Sequence, residues 1–120
     1  MLALHLTTEP ELRREEAAGE YRMSSHGLRL EEAGFIHLCT AAQLPGVARR
    51  FYAGVTDPLV VLVVDLQACA EAGSPVRWEP APDADELFPH VYGPLPWAAI
   101  TARLPARFEG GELRVEGLPT

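Results

Sequence analysis

Leu59 to Val64 form an unbroken apolar run, Leu-Val-Val-Leu-Val-Val, entered through Asp57-Pro58 and left through Asp65. β-Branched side chains crowd a helix and suit a pleated backbone, and a strand without polar alternation has no face to give to water. Pro58–Val64 is therefore expected to be a strand covered on both sides. The run has a strand's length and is far short of a membrane span. Met1 to Leu6 is too short for a secretory signal and acidic residues follow it, so no membrane partner and a cytoplasmic location are expected.

The segments around that strand read as a small α+β domain. Leu2–Leu6 is expected to be a first strand, and Thr8 followed by Glu11 has the capping-box pattern, opening a helix to about Ala18 that Gly19 ends. Glu20–Ala33 reads as irregular. Phe35–Cys39 reads as a second strand, with Thr40 capping a helix that reaches Tyr52; Pro45 fits only near that helix's start, which leaves a separate first turn open as an alternative. Beyond the valine-rich strand, Asp65–Ala72 reads as a short helix, Val76–Glu79 as a strand and Pro80–Asp85 as a loop. Leu87–Tyr92 is a strand stopped by Gly93-Pro94-Leu95-Pro96, and Trp97–Ala99 one helical turn before a strand at Ile100–Leu104. Gly110-Gly111 predicts a hairpin joining Ala106–Glu109 to Glu112–Glu116. The expectation is one domain over 1–120, a mixed or antiparallel sheet with two main helices, its core at about 1–104 and a hairpin extension at 105–120.

Charge and residue usage exclude several classes. A net charge of -7 disfavours nonspecific binding to nucleic acid phosphates. All ten basic residues are arginines, a pattern that fits coding bias in a GC-rich bacterium and removes any lysine as a Schiff-base nucleophile. Cys39 and Cys69 form no paired metal or redox motif and read as free, partly buried thiols.

Three of the four histidines sit in strand-like runs: His5, His37 and His90. Alternation places His5 with Ala3 and Thr7, His37 with Phe35 and Cys39, and His90 with Phe88 and Tyr92, leaving aliphatic residues on the opposite faces. Polar and aromatic side chains on one face and aliphatic ones on the other is the pattern of strands lining a cleft, so the three imidazoles are candidates for a shared pocket. Arg77 and Glu79 would share a face opposite Trp78, and Glu86 stands just before the His90 strand. A carboxylate that orients an imidazole is a common catalytic arrangement, which makes Glu79 a candidate partner for these imidazoles. Each has a plain alternative: a histidine bonded to a backbone carbonyl, above all for His5, a surface ion pair for Glu79, and solvated charge for Glu86. Thr40 can be a helix cap, Cys39 a structural thiol, and Trp78 and Tyr92 core or rim.

At Gly34-Phe35-Ile36-His37-Leu38-Cys39-Thr40, Val76-Arg77-Trp78-Glu79 and Phe88-Pro89-His90-Val91-Tyr92-Gly93-Pro94 the chain resembles the domain of unknown function 952 family, from the first strand to about Leu104. That resemblance implies a compact α+β fold similar to the ADP-ribosyltransferase-like fold, with NAD as the cofactor. His5-Leu6-Thr7 then resembles the first-strand element that holds the NAD ribose and amide, with Leu6 where glycine is frequent. His37-Leu38-Cys39-Thr40 is similar to the His-hydrophobic-Ser element of the tRNA 2′-phosphotransferase branch, whose several basic phosphate ligands are not evident here. Gly93-Pro94-Leu95-Pro96 resembles the turn after the third element, which makes Glu86 and His90 its candidates. By this resemblance His37 and His90, with Glu79 as their acidic partner, are the catalytic candidates, and His5, Thr7, Thr40, Tyr92 and Glu86 are the cofactor-binding set.

The function expected is that of an ADP-ribosyltransferase-like domain binding NAD or an ADP-ribose-type nucleotide, with ribosyl transfer or hydrolysis as its chemistry. The alternatives are a non-enzymatic small-molecule or protein-binding module, and a metal-dependent hydrolase using the histidines and Glu79. No His-x-His or His-Glu-x-x-His spacing supports the last, so no metal ligand is assigned.

Overall fold

Residues 1–81 and 85–118 are described in the computed structural model. Strand β1 (Leu2–Thr8) leads into helix α1 (Glu9–Ala18), a hairpin of β2 (Met23–Ser25) and β3 (Leu28–Arg29), and the single-turn helix α2 (Leu30–Ala33). Then come β4 (Ile36–His37), helix α3 (Leu44–Phe51), β5 (Leu59–Asp65) and helix α4 (Leu66–Glu71). Strands β6 (Val76–Pro80), β7 (Leu87–Val91), β8 (Ile100–Glu109) and β9 (Glu112–Val115) complete the chain, with a 3-10 turn at Trp97–Ala99. The architecture is α+β, and every strand pair among the described residues is antiparallel.

The valine-rich run is β5, an inner strand of a sheet ordered β1-β5-β8-β9. Val60, Leu62 and Val64 enter one core with Ala3, Leu12 and Tyr21, while Leu59 and Val61 enter a second with Leu6, Val47 and Tyr52. Each buried valine and leucine of the strand contributes about 1.5–3 kcal/mol by leaving water, so the strand's position follows from its composition. A second sheet, ordered β4-β7-β6, turns Ile36, Val91 and Val76 toward the first core. Its other face carries the register partners His37, His90 and Arg77.

Local signals act as expected at several ends. The Thr8 hydroxyl accepts from Glu11 N and donates to Glu11 Oε1, and Gly19, at φ 94°, closes α1. Gly110 and Gly111, at φ 61° and 81°, make the tight turn between β8 and β9 that needs two left-handed residues.

Other expectations are corrected. Glu20–Ala33 is not irregular but holds the β2–β3 hairpin and α2. The helix after Thr40 starts only at Leu44, with Pro45 in its first turn; the Thr40 hydroxyl accepts from Gln43 N, one turn earlier. The strand at His37 is two residues long, continued by a single bridge between Leu4 and Cys39. β8 runs unbroken through Pro105, whose carbonyl accepts from Glu116 N on the β9 side. The proline's missing N–H faces that same side, where β9 begins to pair only at Ala106. Of the expected Pro80–Asp85 loop, residues 82–84 lie outside the described residues.

Gly93 tightens the turn that ends β7. Its φ is 154°, and a Cβ there would lie 2.5 Å from Ser74 Oγ. Ser74 Oγ donates to the Pro94 carbonyl and Tyr92 N to the Pro75 carbonyl, so neither side yields freely. Gly93→Ala is expected to destabilise the fold by about 1–3 kcal/mol; an unchanged urea midpoint would contradict this.

Candidate functional site

The outer face of β4-β7-β6, helix α3 and the β2–β3 hairpin enclose a cleft of about 820 Å³, within the range of small-molecule sites. The sheet forms the floor because alternation sends Phe88, His90 and Tyr92 to one side of β7, Glu79 to the same side of β6, and Phe35 and His37 alongside them. α3 supplies the opposite wall, and Leu28 of the hairpin a third side. The hairpin is latched to α1: Glu11 accepts from Gly27 N and pairs with His26, and Glu15 pairs with Arg29.

Glu79, His90 and Tyr92 form one polar unit in this floor. Glu79 Oε1 accepts from Tyr92 Oη at 2.5 Å and lies 2.9 Å from His90 Nδ1. These two donors hold the Glu79 carboxyl below the usual carboxylate range, the Tyr92 hydroxyl first and the imidazole second, and Glu79 in turn raises the Tyr92 phenol. Since a carboxylate oxygen only accepts, His90 Nδ1 carries a proton, and in the neutral ring Nε2 is the acceptor. Phe35 stacks on the His90 ring with centroids 3.9 Å apart and planes 15° from parallel, and Arg77 lies over the Tyr92 ring at 4.8 Å.

His37 sits beside this unit, its ring centroid 5.4 Å from that of His90. Burial, followed by the His90, His5 and Arg50 charges, lowers its pKa to about 4, so the ring is neutral at neutral pH. His37 Nε2 and His90 Nε2 are both buried and have no hydrogen-bond partner among the described residues.

The structure thus unites His37, His90, Glu79, Tyr92 and, at the rim, Glu86. Glu86 is exposed and accepts from Gln43 Nε2. His5, Thr7 and Thr40 do not line the cleft. The His5 face of β1 is not a cleft face, because both faces of that strand are covered, as on neighbouring β5. His5 Nδ1 donates to the His37 carbonyl at 2.8 Å and Nε2 accepts from Tyr21 Oη at 2.6 Å, which fixes its tautomer and uses both nitrogens. Burial lowers its pKa to about 4. Thr7 lies buried beside Tyr21, and Cys39 is a core thiol whose pKa burial raises to about 12. Phe51, Arg49, Arg50 and Gln43 line the cleft without having been expected to; the one available signal was the mixed polar and apolar surface of the α3 segment.

Glu79 is spent on His90 and Tyr92, and no group of three or more His, Cys, Asp or Glu side chains among the described residues is placed to hold a metal ion. No helix among them is long and apolar enough to cross a membrane.

The family described as "Protein of unknown function (DUF952)" matches residues 6–103 of the chain. The crystal structure of protein CC0527 from Caulobacter crescentus aligns with a TM-score of 0.77 at 24% identity, covering 95% of this chain and 94% of that one. The solution NMR structure of CC0527 aligns with a TM-score of 0.71 at 25% identity, covering 93% and 90%. The likeness is one of fold. No curated protein matches the chain.

Proposed function

The chain belongs to the DUF952 family of proteins of unknown function, and from that premise we propose that its cleft binds a nucleotide of the NAD or ADP-ribose class, with His90, oriented by Glu79, as proton acceptor in ribosyl transfer or hydrolysis. The observation that carries this reading is the pair of neighbouring imidazoles with buried, unpartnered Nε2 atoms. Leaving a polar atom buried and unpaired costs about 1–3 kcal/mol, which a ligand's hydroxyl or N–H donors recover. Phe35, Phe88 and Phe51 add apolar walls that suit a flat ring. The fit departs from the resemblance at His5, Thr7 and Thr40, none of which lines the cleft, so the ribose and amide contacts pass to His37.

Of these ligands NAD supplies the bond that breaks, between the anomeric carbon of its terminal ribose and the nicotinamide nitrogen. ADP-ribose lacks that bond and binds as the product of hydrolysis. In hydrolysis, His90 Nε2 takes a proton from water as the new C–O bond forms, and the C–N electron pair departs on the nitrogen. Glu79 stabilises the imidazolium through Nδ1–H. In transfer, an acceptor hydroxyl replaces the water. The ADP-ribosyltransferase-like resemblance is part of this proposal and gives it its substrate class.

Calorimetric titration with NAD and ADP-ribose is the test. The unsubstituted protein is expected to give saturable heat at millimolar ligand, and His90→Gln to weaken binding by about ten-fold or more. No heat with either nucleotide would overturn the proposal. A His90→Gln protein that binds as tightly as the parent would return His90 to a purely structural role.

A further inference from the structure

We infer that the open edge of β6 pairs with the same edge of a second copy of this chain, antiparallel and centred on Trp78, so that Arg77 of each copy faces the partner's Glu79. The hydrogen bonds of β7 fix which groups that edge presents. Leu38 N donates to the Pro89 carbonyl, so Pro89 turns its backbone toward β4; Tyr92 N donates to the Pro75 carbonyl, so Tyr92 turns toward β6. Alternation along the ladder then makes Arg77–His90 and Glu79–Phe88 the hydrogen-bonded pairs. It points the N–H and carbonyl groups of Val76 and Trp78 away from β7. β6 ends the sheet order β4-β7-β6, and the backbone groups of Trp78 have no partner among the described residues.

Charge selects a second copy as the occupant. An antiparallel pair about Trp78 sets position 77 against position 79, and the sequence there is Arg-Trp-Glu. Edge strands are commonly guarded by charge and proline, but a like-charged guard repels its own copy, whereas these two charges attract theirs. Pro80 removes an N–H only at the strand's end. Both charged groups have capacity left: Arg77 lies over the Tyr92 ring with no carboxylate bonded to it among the described residues, and Glu79 uses Oε1 for both His90 and Tyr92, leaving Oε2. Arg77 and the partner's Glu79 meet at a non-hydrogen-bonded position, where Cα atoms approach to about 4.5 Å and side chains lie closest. On the opposite face Trp78 and Leu87 are exposed, at 38% and 51%, and the two Trp78 rings meet across the two-fold axis. On the cleft side, the partner's Arg77 joins the Glu79–His90–Tyr92 unit, and both clefts open on one face of a continuous sheet.

This pairing does not depend on what the cleft binds. The test is sedimentation velocity of the full chain over a concentration series, with Arg77→Glu, Trp78→Pro and Arg14→Glu beside the unsubstituted protein. One strand pair is a small interface, so the parent is expected to be a reversible dimer with a Kd of about 10–500 µM. Arg77→Glu sets like charges opposite each other and is expected to weaken the dimer by about ten-fold or more. Trp78→Pro removes an N–H that the β6–β7 ladder does not use and should leave a folded monomer. Arg14→Glu, exposed on α1, makes the same change in net charge and should leave the Kd unchanged. A parent that stays monomeric up to about 1 mM would overturn the inference, as would a dimer that Arg77→Glu leaves at parental strength. If Trp78→Pro does not fold, the comparison of Arg77→Glu with Arg14→Glu decides alone.

Discussion

Acidification from pH 6.5 to about 4 is expected to lower folding stability by on the order of 5 kcal/mol, a large share of the roughly 5–15 kcal/mol that folded domains commonly have. The source is two histidines whose folded-state pKa values burial lowers from 6.5 to about 4, His5 and His37. Because the unfolded chain takes up these protons first, it binds more of them throughout that window. Their contribution is therefore complete above pH 6.5, declines as pH falls, and is exhausted near pH 4. Below that, Glu11 continues the loss: Gly27 N, His26 and Thr8 together hold its carboxyl below its ordinary value against the opposing effect of burial. Urea denaturation at a series of pH values is the measurement, and a midpoint constant across the window would refute the account.

His5→Ala is expected to be the most damaging single change, costing about 3–5 kcal/mol at neutral pH. It opens a cavity in the larger core and strands two polar partners, the His37 carbonyl and the Tyr21 hydroxyl. Both are lost at once because His5 is wholly enclosed and water does not replace it. Tyr21→Phe removes one contact and keeps the ring's volume, so it should cost nearer about 1–2 kcal/mol. The double variant should be less damaging than the sum, since both singles break the same bond. His5→Ala should also remove about half of the acid sensitivity, as one of the two titrating rings is gone. A variant at parental stability, or one with undiminished pH dependence, would contradict the structural role given to His5.

These two expectations bear on how much could be read from the chain. The valine-rich run, the Thr8 cap and the Gly110-Gly111 turn are local physics, and each stands where its residues place it. Strand period alone put Phe88, His90 and Tyr92 on one face and Arg77 with Glu79 on another; the β6–β7 register is what joins Glu79 to the first set. The error at His5 had the opposite origin. Alternation separates two faces without saying what covers them, and the cover here comes from Tyr21, in the segment read as irregular. The same non-locality hid the β2–β3 hairpin, whose strands are too short to show a period. It also hid the α3 wall, whose approach to β7 joins residues more than forty positions apart.

That wall is fastened at both ends. Gln43, just before α3, accepts from Thr40 N and donates to Glu86 and to the Leu87 carbonyl, and Tyr52, just after it, donates to the Leu6 carbonyl. One end is thereby tied to β7 and the other to β1, so the breadth of the cleft is set in the free protein. An incoming molecule meets a preorganised frame and spends little of its interaction on ordering this helix. Differences in affinity among ligands would then report the contacts themselves rather than the cost of closing around them.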